Sequence, residues 1–210
     1  MALELLVMLD ECTKVGFFGG QCELLDEHLI GTLLQLDRTT LQHSMRTSKL
    51  AVLLGKKLGL DGAELELLGQ GALLHDIGKI RVPSEILNKE DPLNSEEWSL
   101  LQTHPQRGCD HLMNSSVDEV IRRIVLNHHV WFNGEGGYPL AEDRKSPCPL
   151  TQIVMVADVV DAMTSDRPYR KAHSIEATRE YIEDRVGSWF NGEVVGAFGR
   201  LVFKIEEKGW

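Results

Sequence analysis

Residues 71–80 read GALLHDIGKI and combine two properties that rarely occur together. The leucines and isoleucines are apolar enough for a protein core, whereas His75, Asp76 and Lys79 add an imidazole, a carboxylate and an ammonium. Either the core accommodates these polar groups without a special role, or they form a functional site. The surrounding sequence favours the second interpretation.

Apolar residues recur at helical spacing through most of the chain. Asp61 with Glu64 forms a capping box, which predicts that the helix leading into the opening stretch begins there. A helix that begins at Ser95 should end near His104, because Pro105 disfavours helical geometry in the residue before it. Strand signals are weak, so the sequence predicts an all-α fold, a multi-helix bundle. Further helices are expected over residues 117–128, 152–163, 174–186 and 193–203.

Two segments interrupt this pattern, residues 80–94 and residues 131–149. The second is long, rich in glycine and aromatic. Loops of that length inside a compact domain tend to be functional.

Five histidines lie at or near predicted helix ends or inward faces. A single histidine on an apolar face is more often a hydrogen-bonded core residue than a ligand. Five of them with Asp76 indicate a metal site, because a helical bundle can bring such positions to one point. Imidazoles combined with carboxylates suit Fe, Mn or Zn better than Mg or Ca. The five are His43, His75, His104, His128 and His129.

A second carboxylate supports the metal site. Asp158 lies in the most apolar predicted helix, which contains no Lys or Arg to neutralise it, and burying an unpaired carboxylate is costly. His128 and His129 would project about 100° apart on a helix. Both reach one centre only where the helix ends or where the centre holds two ions, so the sequence favours a binuclear site bridged by an aspartate.

Lys79, Arg167 and Arg170 could serve such a site. A run of cations is often only a solvated surface, but beside metals these side chains suit a phosphate ester, because they neutralise charge and donate to phosphate oxygens. The formal net charge of −10 argues against a nucleic-acid polymer as partner.

Composition and the termini bound the remaining possibilities. The 210 residues suit one soluble domain. The N-terminal residues make a poor signal peptide and no apolar run approaches the length of a membrane span, so a cytosolic location is expected. Cys12, Cys22, Cys109 and Cys148 show no CxxC pairing and are expected to be reduced.

An ordered set of motifs resembles the HD-GYP domain, a subgroup of the HD-superfamily metal-dependent phosphohydrolases associated with cyclic di-GMP breakdown in bacterial signalling. The resemblance covers about residues 37–203 and implies an HD-superfamily bundle with a binuclear metal site. It implies a catalytic domain over residues 37–210, with residues 1–36 as a helical extension packed on it. The motifs are HSMR at 43–46, HDIGKIRVP at 75–83, THPQRG at 103–108, HH at 128–129, GYP at 137–139 and VADVVDAMTSDRPYR at 156–170.

The resemblance also implies roles for single residues. Two divalent transition-metal ions are expected, Fe or Mn by preference and Zn as the alternative. Asp76 and Lys79 become the catalytic residues, with Lys79 at the scissile phosphate. Tyr138, Arg167 and Arg170 become substrate contacts. One metal is assigned to His43, His75, Asp76 and Asp158, and the other to Asp76 as a bridge with His104, His128 and His129.

Three departures from the family pattern are visible. The family loop begins HHE, whereas Val130 replaces the acid here, and one extra residue precedes Tyr138. Loss of a supporting hydrogen bond commonly reduces metal affinity or activity about 10- to 100-fold. Some members add a third metal through a glutamate where this chain has Thr39, so two metals are expected.

The favoured function is therefore hydrolysis of cyclic di-GMP to pGpG, to GMP or to both. The alternatives are a hydrolase of another nucleotide or phosphomonoester, and a catalytically weak module that binds cyclic di-GMP or a protein. The partners considered are a cyclic dinucleotide, a diguanylate cyclase or regulatory protein at the GYP loop, and a second copy of the chain in a homodimer. Packing roles are expected for Trp98, Cys109, Met113 and Trp189.

Overall fold

The computed structural model describes residues 27–139, 145–166 and 171–208, with side chains up to residue 202. Within these ranges the chain is helical and forms no strand longer than an isolated bridge, which confirms the predicted all-α fold. A 3-10 turn, Ile77–Arg81, follows the third helix. The α-helices are α1 Glu27–Leu33, α2 Arg38–Leu58, α3 Gly62–Leu74, α4 Ser84–Leu87, α5 Ser95–Leu101, α6 His104–Leu112, α7 Glu119–Asn127, α8 Pro149–Thr164, α9 Ile175–Glu183 and α10 Gly192–Lys208.

Local sequence signals explain where α3 and α6 begin. The predicted capping box of α3 is present, since the Asp61 side chain accepts from the Glu64 backbone N–H and the Glu64 side chain accepts in return. Helix α5 ends at Leu101, near the predicted position. Pro105 does more than stop that helix, because it lies in the first turn of α6, where its missing N–H costs no helical hydrogen bond.

The core consists of two apolar clusters that meet at the opening stretch. The larger cluster surrounds α8 and takes residues from α2, α3, α7, α9 and α10. The second joins α1 to the end of α3, to α6 and to α7, and contains Leu73, Leu74 and Ile77, all nearly inaccessible to solvent. The apolar residues of GALLHDIGKI therefore hold this segment in the core, as predicted.

Gly78 allows the 3-10 turn to pack directly against α6. A Cβ atom at this position would lie 2.0 Å from the carbonyl oxygen of His104 and 2.5 Å from the backbone nitrogen of Gly108. Both neighbours are backbone atoms that cannot rotate away. This close approach brings the segment after α3 and the start of α6 together.

Some expectations need correction or stay untested. Met113 and Trp98 are 63% and 46% exposed, so the packing role predicted for them is wrong. Cys109 and Cys148 are free thiols, whereas Cys12 and Cys22 lie outside the described residues. Leu29 and Leu33 of α1 pack into the second cluster, but residues 1–26 are not described, and a domain boundary at residue 37 stays a prediction. No helix in the described part is long and apolar enough to cross a membrane.

Candidate binuclear metal site

The residues predicted as metal ligands converge on one buried centre. They come from the interior of α2, the end of α3, the start of α6, the end of α7 and the interior of α8. All except His129, which is partly exposed, are buried. The structure thus brings together His43, His75, Asp76, His104, His128, His129 and Asp158.

A helix end explains how adjacent histidines face the same centre. Helix α7 ends at Asn127, His128 is its C-cap residue, and His129 follows beyond the helix. The two ring centroids are 4.1 Å apart. The helix therefore ends where both rings point inward, which is one of the two arrangements that the sequence left open.

Hydrogen bonds fix the orientation of three of the imidazoles. In His75, His104 and His128 the Nδ1 atom lies 2.7–2.8 Å from the carbonyl oxygen three residues earlier. A carbonyl oxygen can only accept, so Nδ1 carries the hydrogen in each ring. Burial lowers the pKa of His75 and His128, which keeps both rings neutral. Their Nε2 lone pairs therefore point into the centre.

Several potential acceptor atoms in this centre are buried and face one another. The Nε2 atoms of His104 and His128 lie 3.1 Å apart, and two ring nitrogens whose lone pairs face each other at that distance repel unless a cation or proton lies between them. Oδ1 of Asp76 is buried without a hydrogen-bond partner among the described residues, although Nε2 of His104 lies 3.2 Å away. Unsatisfied buried acceptors that face one another fit a metal ion.

Asp76 faces two groups of histidines with its two oxygens. Oδ2 lies 3.4 Å from Nε2 of His75 and 3.9 Å from Nε2 of His43, whereas Oδ1 lies 3.2 Å from His104 and 3.9 Å from His128. A carboxylate arranged in this way can bridge two ions. Sets of nearby ligand atoms that could each hold an ion are His43, His75 and Asp158; His104, His128 and His129; and His75, Asp76 and His128.

The electrostatics of the carboxylates agree with this arrangement. Burial opposes ionisation of Asp76, but Lys79, whose Nζ lies 2.6 Å from Oδ2, and His75 hold its pKa well below the ordinary value. Burial likewise opposes ionisation of Asp158, but the hydrogen bond with His43 lowers its pKa. Burial lowers the pKa of His129 to about 3. Asp76, Asp158 and His129 therefore have the charge states that metal ligands need, whereas His43, whose pKa is raised to about 9, must lose a proton when it binds a metal.

His43 is held by a residue that the sequence reasoning missed. Nδ1 of His43 lies 2.7 Å from Oδ2 of Asp161, and Nε2 lies 2.9 Å from Oδ1 of Asp158. Although burial lowers the pKa of His43, the hydrogen bonds to Asp158 and Asp161 outweigh it and raise the pKa to about 9. Arg46 donates to both oxygens of Asp161, at 2.6 and 2.9 Å. The i, i+3 spacing from Asp158 on α8 was the available signal.

A cleft of about 780 Å³ opens beside this centre. Lys79 and Tyr138 line it together with Asp76, His104 and His129. The Tyr138 ring lies 4.6 Å from the His129 ring, so the extra loop residue has not removed Tyr138 from the site. Arg167 and Arg170 lie outside the described residues, and their predicted substrate contacts stay predictions.

The loop that carries Tyr138 bends back onto His129. The backbone N–H of Tyr138 donates to the His129 carbonyl at 3.1 Å, and Gly137 has φ of +81° with no room for a Cβ beside that carbonyl. Val130 is buried and pairs with Gly137. Within the described ranges no hydrogen bond holds the ring of His129, which is consistent with the lost acid at position 130.

A family model described as HD domain matches residues 29–194. The chain belongs to the HD domain family. This match confirms the family expected from the motifs, and it includes every residue of the centre described above.

Two curated relatives and one solved structure are similar to this HD domain. The cyclic di-GMP phosphodiesterase PA4108 of Pseudomonas aeruginosa is 36% identical over 79% of this chain and 40% of its own length. The 3′3′-cGAMP-specific phosphodiesterase 3 of Vibrio cholerae is 31% identical over 78% of this chain and 35% of its own length. Bd1817, an HDG"Y"P protein from Bdellovibrio bacteriovorus, has a TM-score of 0.64 and 26% identity, covering 80% of this chain and 53% of that one. The chain thus spans about two fifths of the length of these curated relatives.

Proposed function

We propose that this chain is a metal-dependent phosphodiesterase that hydrolyses cyclic di-GMP to pGpG, to GMP or to both. The observation that carries the proposal is the position of Asp76, whose two oxygens face separate groups of buried histidines. The similarity to a cyclic di-GMP phosphodiesterase supports the choice of substrate.

The donor set fits two divalent transition-metal ions, Fe or Mn by preference and Zn as the alternative, because it combines imidazoles with carboxylates. When bound, two such ions supply a water of lowered pKa as nucleophile and neutralise charge on the phosphate. We assign one ion to His43, His75, Asp76 and Asp158, and the other to Asp76, His104, His128 and His129.

Residues around the metals would act on the substrate directly. The Lys79 side chain is 19% exposed, lines the cleft and can reach a phosphate oxygen while its Nζ stays near Asp76. Burial, followed by the charges of Asp76 and Asp158, raises the pKa of Tyr138, so its phenol remains an O–H donor. Its ring lies 4.6 Å from the His129 ring and 6.2 Å from the His104 ring, close enough to contact a substrate bound at the metals.

Two alternatives remain candidates. Similarity to a phosphodiesterase named for 3′3′-cGAMP makes that cyclic dinucleotide a second substrate to test. A catalytically weak binding module is favoured by Val130 and the unsupported His129 ring, but the complete set of candidate ligands argues against it. A cyclase or regulatory protein at the GYP loop, and a homodimer, stay predictions.

The test combines metal analysis of anaerobically purified protein with cleavage assays on cyclic di-GMP, 3′3′-cGAMP, GMP and a phosphomonoester. We expect two metals per chain and fastest turnover of cyclic di-GMP. Less than one metal per chain would contradict the binuclear site, and cleavage of a mononucleotide with cyclic di-GMP untouched would contradict the substrate.

A matched pair of variants separates an enzyme from a binding module. His75→Ala combined with Asp76→Ala should abolish turnover, because it removes ligands of both ions. Arg123→Gln is the control, since Arg123 is exposed on α7 and pairs only with Glu119 in the described part. An unchanged signalling output in cells carrying the double variant would support the binding module instead.

A further inference from the structure

Trp98 is an exposed aromatic side chain on the wall of the cleft. Four large apolar side chains in the described part are exposed: Leu53, Trp98, Met113 and Val186. Only Trp98 among them lines the cleft. Single exposed apolar residues elsewhere on a surface need no explanation, but an indole that remains 46% exposed inside a cleft leaves a ring available to a ligand.

The position of Trp98 relative to the metal centre suits a nucleotide. Its ring lies 6.2 Å from the Tyr138 ring in an edge-to-face arrangement, and the Tyr138 ring lies 4.6 Å from that of His129. The Tyr138 ring therefore lies between Trp98 and the His129 imidazole, so Trp98 is farther from the metal centre than His129 is. In a nucleotide, the base lies one sugar away from the phosphate.

The part of the cleft lining that carries Trp98, residues 86–101, combines apolar residues with Asn88, Lys89, Glu90 and Asp91. Contacts within the protein hold this part in place. Glu97 accepts two hydrogen bonds from Nζ of Lys89, at 2.6 and 2.8 Å, and forms a capping box with Asn94, so the loop before α5 is tied to that helix. The lining residues from α2 and α8 are mostly polar or charged. The apolar residues beside Trp98 along the cleft are Ile86, Leu87, Pro92, Leu93 and Leu101.

We propose that Trp98 is a stacking platform for one nucleobase of a cyclic dinucleotide whose phosphodiester lies at the metal centre. The inference rests on the proposed function and adds a base-binding subsite to it. A hydrolase of simple phosphomonoesters would have no use for an aromatic wall beyond the phosphate. Because every base has a π-face, stacking alone would accept guanine and adenine.

The test compares Trp98→Ala, Trp98→Phe and wild type by steady-state kinetics on cyclic di-GMP, with metal content measured for each. Alanine should raise KM about 5- to 100-fold, the range expected from stacking energies, with kcat and metal content near those of the wild type. Phenylalanine should restore most of the lost affinity because it keeps an aromatic face. Met113→Ala, an exposed residue outside the cleft, is the matched control.

Three results would overturn the platform. The first is an unchanged KM in Trp98→Ala. The second is a loss of kcat or metal at constant KM, which would indicate a structural role. The third is a phenylalanine variant as impaired as the alanine variant, which would indicate that an aromatic face at this position does not bind the base.

Failure of the proposed function gives a different result. If metal-loaded wild type does not cleave cyclic di-GMP, the proposed function fails, and calorimetric titration of GMP into wild type and Trp98→Ala still tests the platform because GMP carries a base and a phosphate. Weaker binding of GMP by Trp98→Ala supports the platform. Equal binding by both proteins, or binding by neither, overturns it.

Discussion

His43 donates a buried hydrogen bond of 2.7 Å from its Nδ1 to Oδ2 of Asp161. Arg46 holds the same carboxylate from the other side, and hydrogen bonds from both partners help to lower its pKa against the opposing effect of burial. With its Nδ1 fixed in this way, His43 must direct Nε2 toward Asp158. Asp161 is therefore a positioning residue for a candidate metal ligand.

Replacing Asp161 with asparagine should weaken metal binding about 10- to 100-fold, because an outer carboxylate orients the ring and raises the basicity of the ligand nitrogen. Competition with a chelator of known affinity measures this loss. Asp184→Asn, at an exposed position after α9, should have no effect. Wild-type metal affinity in Asp161→Asn would show that the hydrogen bond does not position His43.

Lys79→Gln should separate substrate binding from metal binding. We expect it to keep two metals, because Lys79 is not a ligand, and to lose turnover of cyclic di-GMP about 100-fold, in line with removal of one donor to a developing charge. Metal analysis and kcat are measured on the same preparation. Parallel loss of metal and activity would mean that Lys79 only supports Asp76.

Gly78→Ala should destabilise the fold by about 1–3 kcal/mol, the usual cost of overpacking, since the new Cβ would meet backbone atoms of α6. Urea unfolding of the metal-free protein measures the change. Gly199→Ala is the control, because a Cβ on that residue of α10 meets nothing within 4 Å and alanine favours a helix. Equal stability of Gly78→Ala and wild type would contradict the close packing.

His111 should make stability sensitive to mild acid. Burial, followed by the charges of His28 and Arg81, lowers its pKa below 6.5. A group with a depressed folded-state pKa is protonated first in the unfolded chain, so stability is lost as pH falls through 6.5 toward the folded-state value. Nε2 of His111 lies 3.3 Å from Oγ1 of Thr32, so this side chain connects α6 to α1.

The check is His111→Gln, whose amide can still reach Thr32. Urea unfolding at about pH 7.5 and at about pH 5.5 should show that the variant loses less stability than wild type between the two conditions. An identical loss in both proteins would mean that His111 titrates normally.

Helical periodicity and short-range signals predicted much of this molecule. The capping box at Asp61 and the helix end before His128 depend on residues within a few positions, so they are visible in the sequence. The convergence of the candidate ligands was also predictable, because a buried carboxylate such as Asp158 needs a cation that its own helix lacks. Each of these features follows from an energetic requirement, such as a capped helix end or a neutralised carboxylate, that can be recognised from the residues of one segment.

Long-range contacts were not predictable in the same way. The spacing of Asp161 from Asp158 places both on one side of α8, but only the packing of α2 against α8 brings His43 and Arg46 beside Asp161. A tryptophan is usually a packing residue when only the sequence is known. The structure shows that the Trp98 ring is exposed because it lines the cleft. Pro105 was expected to end a helix, but the same restricted geometry also suits the first turn of the next one.

The candidate metal ligands end at Asp158, yet the arrangement around them depends on a later part of the chain. Trp131 stacks on Trp189 at 4.8 Å, and the backbone N–H groups of Phe132 and Asn133 donate to the carbonyls of Trp189 and Ser188. A truncation before this segment would retain every ligand but remove the support of the Tyr138 loop. Because α10 also supplies residues to the larger core cluster, a fragment that lacks this segment should lose stability as well as the support of the Tyr138 loop.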